Sequence, residues 1–142
     1  KNQILQKSYI PANISPKLNN QAKQIAKKIA DKLNYIGTMC VEFFVTKKNE
    51  LLVNEIAPRV HNSGHLTMNA HNISQFDNHI RAVCNLKLKK PKRIHKAIMY
   101  NILGHDIKKY RSKETMSNEF FYDYGKKVIK DKRKMGHLTK IF

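Results

Sequence analysis

The sequence predicts an α+β fold, with an antiparallel hairpin and flanking helices followed by a small β-rich C-terminal domain. Three observations predict it. Leu18, Ala22, Ile25, Ala26, Ile29 and Leu33 keep helical spacing; from Thr38 the period switches to two; and the last third holds short alternating runs punctuated by glycine or clustered charge.

The elements follow in order. Ile4 to Ile10 is short and apolar enough for an edge strand, ended by Pro11. Ser15 and Pro16 form an N-cap and first-turn pair for a helix that runs toward Gly37 with its lysines outward. Met39, Val41, Phe43 and Val45 then alternate with Cys40, Glu42 and Phe44, a polar turn follows at 47–50, and Leu51 to Ala57 returns as the second strand. Symmetric closure around Lys48-Asn49 places Glu42 opposite Glu55 and Phe43 opposite Asn54. A second helix starts at Ser74, with Asp77 in the capping-box position, presents Phe76, Ile80, Val83 and Cys84 on one face, and closes at Asn85. Pro91 breaks the basic linker Lys89 to Arg93, so the domains are expected at 1–88 and 89–142. Strands are expected at Ala97–Leu103, Glu119–Tyr124, Lys127–Lys130 and Met135–Ile141, with turns near Gly125 and at 131–134. The stretch from Asp106 to Asn118 is a connector with room for one helical turn.

Composition narrows the functional classes. At 142 residues the chain is one domain or two small ones, and 41% hydrophobic residues suffice for a core. No run reaches the roughly 18 apolar residues of a membrane span, and the first ten residues lack a signal-peptide core, so a soluble cytoplasmic protein is expected. Cys40 and Cys84 lack CxxC spacing and are expected as buried thiols in a reducing compartment. The formal charge of +18 raises nucleic acid or an acidic protein as a partner. It comes almost entirely from scattered lysines, with five arginines, which favours solvated faces over a phosphate-reading surface and disfavours nucleic acid.

Facing carboxylates at Glu42 and Glu55 repel unless a cation lies between them, and magnesium, which takes hard oxygen ligands, suits the pair. Two hydrated glutamates on a solvent-facing hairpin are the alternative. The loop after Pro58 adds Arg59, His61, Asn62 and His65, with Gly64 permitting close backbone approach, a set suited to a small anion beside a metal nucleotide. A zinc site of His61, His65 and His71 lacks cysteine or a helical HxxxH context and is set aside.

The runs 41–45 (VEFFV), 52–65 (LVNEIAPRVHNSGH), Ser74-Gln75-Phe76, Arg81-Ala82-Val83, Tyr124-Gly125-Lys126 and 133–137 (RKMGH) resemble, in order, the ATP-grasp family of 5-(carboxyamino)imidazole ribonucleotide synthetases. That family is also known as the ATPase subunit of phosphoribosylaminoimidazole carboxylase. The resemblance implies the C-terminal lobe of an ATP-grasp domain followed by the family's small C-terminal domain. It also implies an ATP-dependent carboxylase of purine biosynthesis that uses MgATP and bicarbonate, through carboxyphosphate, on aminoimidazole ribonucleotide. By the same resemblance Glu42 and Glu55 hold Mg2+, and Asn54 and Glu55 line the ATP site. Arg59, His61 and Asn62 receive bicarbonate and carboxyphosphate. Lys126, Arg133 and Lys134 clamp the ribonucleotide phosphate and are expected to approach the Arg59 loop.

Val60 and Leu66 depart from the family's usual proline and aromatic. The family's N-terminal α/β domain and Gly-rich ATP-covering loop have no counterpart in these residues, so the chain is expected to be incompetent alone. A separately encoded N-terminal half is a possible partner, and the family is commonly homodimeric. A basic binding module on a retained ATP-grasp fragment is the alternative function.

Overall fold

The structure, a computed structural model, describes residues 4–142. They form two compact units, one of residues 12–65 and 73–91, the other of the segment ending at Pro11 with residues 66–72 and 92–142. Among the described residues no helix is long and apolar enough to cross a membrane.

In the first unit α1 spans Pro16–Lys32. Ser15 Oγ accepts from Leu18 N at 3.3 Å and Pro16 occupies the first turn, where a missing N–H costs nothing. The helix stops at Lys32, five residues before Gly37, because Asn34 takes φ 47° while Asn34 N and Tyr35 N donate back to Asp31 O and Ala30 O. Helix α3, Gln75–Val83, carries the expected capping box: Ser74 Oγ accepts from Asp77 N, and Ser74 N donates to the Asp77 carboxylate. The Ser74 hydroxyl, and then its N–H, hold the Asp77 carboxyl below its ordinary value. Asn85, at φ 52°, ends the helix as predicted.

The face assigned to the core of α3 is not core. Ile80 and Val83 are 56% and 52% exposed, and Cys84 is exposed as well, so the expectation of two buried thiols holds for neither cysteine in full, Cys40 being half-buried. The helix docks through polar contacts instead. Thr38 Oγ1 donates to Gln75 O at 3.1 Å and Thr38 N to His79 Nδ1 at 3.1 Å.

The hairpin joins β2 (Cys40–Val45) to β3 (Leu51–Ala57). Its loop is odd, not even. Thr46 N donates to Glu50 O, leaving Lys47, Lys48 and Asn49 as a three-residue turn, with Asn49 at φ 59° and Thr46 Oγ1 accepting from Lys48 N and Glu50 N. Near the turn Val45 pairs with Leu51 and Phe43 with Val53, so the expected Phe43–Asn54 pair does not form. Asn54 is the extra residue of a β-bulge, and beyond it Glu42 stands opposite Glu55, as expected.

In the second unit four antiparallel strands run in the order β1 (Lys7–Ile10), β4 (Ala97–Leu103), β6 (Lys134–Ile141), β5 (Glu119–Asp123). Both faces of the sheet are covered. Ala97 and Met99 pack with Leu66 and Ala70, the latter on the short helix α2 (Thr67–Ala70), so Leu66 fills a core position. On the other side Ile102, Met135 and Leu138 pack with Ile107 of α4 (Ile107–Arg111), the helical turn foreseen in the connector. Gly136 pairs with Asp123, and a Cβ built on it would lie 2.4 Å from the Tyr122 carbonyl oxygen.

The strand expected at Lys127–Lys130 is absent, and β5 pairs directly with β6. Its apolar pair is divided between two tasks: Ile129 packs against the Ile107 cluster, whereas Val128 is 59% exposed. The intervening segment is a loop that turns at Lys132 (φ 62°) and is tied down by Gly104 N donating to Arg133 O.

Candidate functional site

Along β2, Cys40 and Glu42 share one face, since side chains alternate. Glu55 and Ala57 face them from β3. The bulge adds Asn54 to the same face: its Nδ2 donates to Glu42 Oε2 at 3.4 Å. Two adjacent residues of one strand thus serve one surface, which a regular strand forbids. Glu42 is half-buried and Glu55 exposed.

The loop after Pro58 continues into a 3-10 turn, Asn62–Leu66, where sequence alone offered only a helix-breaking loop. It closes with Gly64 N donating to His61 O at 3.0 Å. The turn carries His61 to the carboxylate face, with Nδ1 3.4 Å from Glu42 Oε1 and 2.9 Å from Ser63 Oγ. Ser63 Oγ also lies 3.5 Å from Cys40 Sγ. Burial pushes the Cys40 thiol above its ordinary pKa; the Ser63 contact opposes this, the charges of Glu42 and Glu55 add to it, and Arg59 opposes it. Cys40 therefore lies within electrostatic reach of both glutamates and Arg59. Arg59 itself is exposed and donates to Val60 O, and Asn62 is half-buried.

Gln75 holds the loop. Buried to 8% exposure, its Oε1 accepts from His61 N (3.0 Å), while Nε2 donates to His61 O (2.8 Å) and lies 2.8 Å from His65 Nδ1. His65 also stacks on Phe76. Close approach at Gly64 is made by this amide: a Cβ there would stand 2.4 Å from Gln75 Oε1. Gly64→Ala must displace the amide and break contacts that register His61. The expected loss is about 1–3 kcal/mol in denaturant unfolding of the chain, with the His61 ring resonances shifted in its NMR spectrum.

In the second unit Lys126 Nζ donates to Lys134 O at 2.6 Å and lies 5.3 Å from the Tyr124 ring centroid. Burial first, then the neighbouring charges of Arg133 and Lys134, push its pKa down, so three cations are gathered in one place. Tyr124 Oη is 2.9 Å from Nδ1 of buried His137.

Sequence reasoning brought forward Glu42, Asn54, Glu55, Arg59, His61 and Asn62. It passed over Cys40, Ser63 and Gln75. Cys40 was legible as the residue two before Glu42 on a strand; Gln75 was not, because a buried amide has no periodic signature.

Residues 1–76 match the ATP-grasp domain family, and residues 97–142 match the phosphoribosylaminoimidazole carboxylase C-terminal domain. The N5-carboxyaminoimidazole ribonucleotide synthase of Bacillus subtilis is 45% identical over 139 residues, 97% of this chain but 37% of the relative. A Staphylococcus aureus N5-carboxyaminoimidazole synthetase solved with ADP superposes with TM-score 0.92 at 42% identity, covering 100% of this chain and 39% of that one. The Aspergillus clavatus enzyme, solved with ADP and 5-aminoimidazole ribonucleotide, superposes with TM-score 0.92 at 31% identity, covering 100% and 40%. The chain thus spans well under half the length of these relatives.

Proposed function

The chain belongs to the ATP-grasp family, and from that premise we propose that it supplies the metal-binding and anion-binding surfaces of an ATP- and bicarbonate-dependent carboxylase acting on 5-aminoimidazole ribonucleotide. The division of labour follows residues 1–88, the ATP-grasp lobe, and 89–142, the C-terminal domain. The observation that carries this reading is the bulged hairpin, which sets Glu42, Asn54 and Glu55 on one face with His61 against Glu42.

Two carboxylates and an amide oxygen form a hard oxygen set, which fits Mg2+. When bound, that ion supplies charge neutralisation for the phosphate oxygens of ATP. Glu42 and Glu55 hold it, and Asn54 with Glu55 borders the nucleotide. Arg59, His61 and Asn62 take bicarbonate and the carboxyphosphate made from it: the guanidinium offers paired N–H donors to a planar oxyanion, and the loop, held by Gln75, keeps the imidazole and amide in place without reorganisation. Lys126, Arg133 and Lys134 take the 5′-phosphate of the ribonucleotide. Burial, and then the neighbouring charges of Arg133 and Lys134, depress Lys126, and a phosphate dianion relieves the charge repulsion. The chain matches 37% to 40% of the relatives' length, which makes an N-terminal portion, joined or separate, the required partner.

The test is a chimera in which this chain replaces the matching C-terminal part of the Bacillus subtilis relative. Ribonucleotide- and bicarbonate-dependent ADP release is expected. Glu55→Gln should lower kcat about 100-fold or more, whereas Lys126→Met should mainly raise the KM for the ribonucleotide. A chimera that turns over normally with Glu55→Gln would sink the assignment.

A further inference from the structure

Among the described residues one group of side chains has ligand atoms close enough together to share a metal ion: Cys40, Glu42 and His61, all within 4.8 Å of one another and all half-buried. It is chemically different from the carboxylate pair. Glu55 is not in it, and it brings a sulfur and an imidazole nitrogen, which suit Zn2+ or another thiophilic cation and not Mg2+. We propose that Cys40, His61 and Glu42 form a three-ligand site for a thiophilic divalent cation, with Glu42 shared between this site and the carboxylate pair.

The geometry is prepared for it. Bonds of about 2.0–2.3 Å in a tetrahedron place ligand atoms about 3.3–3.7 Å apart. His61 Nδ1 and Glu42 Oε1 are already 3.4 Å apart. Bringing Cys40 Sγ to the same centre takes an adjustment of side chains within the existing 4.8 Å. His61 Nδ1, the ring nitrogen beside Glu42, also lies 3.5 Å from Ser63 N, and it binds the cation through its lone pair once that contact is given up. Ser63 Oγ lies between sulfur and imidazole, 3.5 Å and 2.9 Å away, and gives up these contacts to the ion. Loading is a proton exchange: the cation binds the thiolate, and the thiol proton leaves to solvent. Three protein ligands leave a fourth position for water. That Zn2+ thereby withdraws Glu42 from Mg2+ rests on the function proposed above; the thiolate site does not.

Cobalt reports the site optically. Titrating the reduced 142-residue chain with Co2+ should raise a near-ultraviolet thiolate-to-cobalt charge-transfer band that saturates at one equivalent and is bleached by stoichiometric Zn2+. Cys40→Ser should abolish the band with an unchanged circular dichroism spectrum, His61→Gln should weaken it, and Cys84→Ser should leave it intact. No band in the folded wild-type chain, or a band that survives Cys40→Ser and disappears with Cys84→Ser, overturns the proposal. A Co2+ midpoint raised by excess Mg2+ supports the sharing of Glu42 as well. A midpoint indifferent to Mg2+ overturns the sharing of Glu42, while the thiolate band still supports the three-ligand site.

Discussion

Gly136→Ala should lower the urea midpoint of the four-stranded sheet sharply. The new methyl group has no rotamer through which to escape. Its position is fixed by the backbone, 2.4 Å from the Tyr122 carbonyl oxygen and 3.2 Å from Ile107 Cδ1. Relief requires β5 and β6 to part at the Asp123–Gly136 pair, next to the Tyr122–His137 pair where the two rings stack with centroids 4.7 Å apart. Overpacking into a side chain typically costs 1–3 kcal/mol, and a clash with backbone that cannot repack belongs at or above about 3 kcal/mol. Against a total stability of about 5–15 kcal/mol for a domain, that is a large fraction. Urea unfolding followed by tyrosine fluorescence checks it. A midpoint within error of wild type would show that the strands yield at little cost.

The second large effect is an absence of turnover. The 142-residue chain alone, given MgATP, bicarbonate and aminoimidazole ribonucleotide, should release no phosphate above the uncatalysed background. Phosphoryl transfer is almost wholly a matter of positioning and charge stabilisation, and a carboxylate pair without a phosphate-covering loop supplies only part of either. The five glycines, at 37, 64, 104, 125 and 136, are dispersed, so no Gly-rich loop exists in the sequence. Four of them also have packing partners: Gly37 against His79 and Tyr35, Gly64 against Gln75, Gly104 against Lys130 and Asp131, Gly136 against Tyr122. A coupled assay of the purified chain reads this directly. Bicarbonate-stimulated hydrolysis that disappears with Glu55→Gln would show that these residues suffice.

Local signals were the legible ones. Ser15-Pro16 and Ser74 with Asp77 mark helix starts because capping is a contest among a few neighbouring donors and acceptors, decided within one turn of chain. Strand Ala97–Leu103 was legible to the residue, since its alternation ends at Gly104, which takes φ 48°. Lys127–Lys130 was misjudged because Val128 and Ile129 have strand propensity, yet β6 already has β4 and β5 on its two edges and offers no third. The face of α3 was misjudged for a related reason: periodicity states which residues are apolar, not whether this chain carries something to bury them. The carboxylate pair was placed correctly although the turn was not. The odd loop and the bulge each shift the pairing by one residue, and the two shifts cancel between Phe43 and Glu42. The domain-scale resemblance lay in the 52–65 and 133–137 runs, which specify a family more sharply than any periodicity does.

The bulge at Asn54 can be treated as a dislocation in an otherwise regular ladder, an extra half-row ending inside the sheet. On the turn side the rows are Val45–Leu51, Phe44–Leu52 and Phe43–Val53; on the far side they are Glu42–Glu55, Val41–Ile56 and Cys40–Ala57. A dislocation is removed either by withdrawing the extra half-row or by completing it. Deleting Asn54 withdraws it, and inserting one residue between Glu42 and Phe43 completes it. In both cases the ladder heals while Glu42 still faces Glu55 and the three-residue turn is untouched. The two repairs differ in one respect: the deletion leaves the carboxylate face without an amide, and the insertion turns Asn54 into a paired residue on the opposite face. The defect therefore uncouples two properties that a regular strand ties together, the register of the carboxylates and the number of polar groups that accompany them. The length of this hairpin can change by one residue in either strand without moving the acid pair.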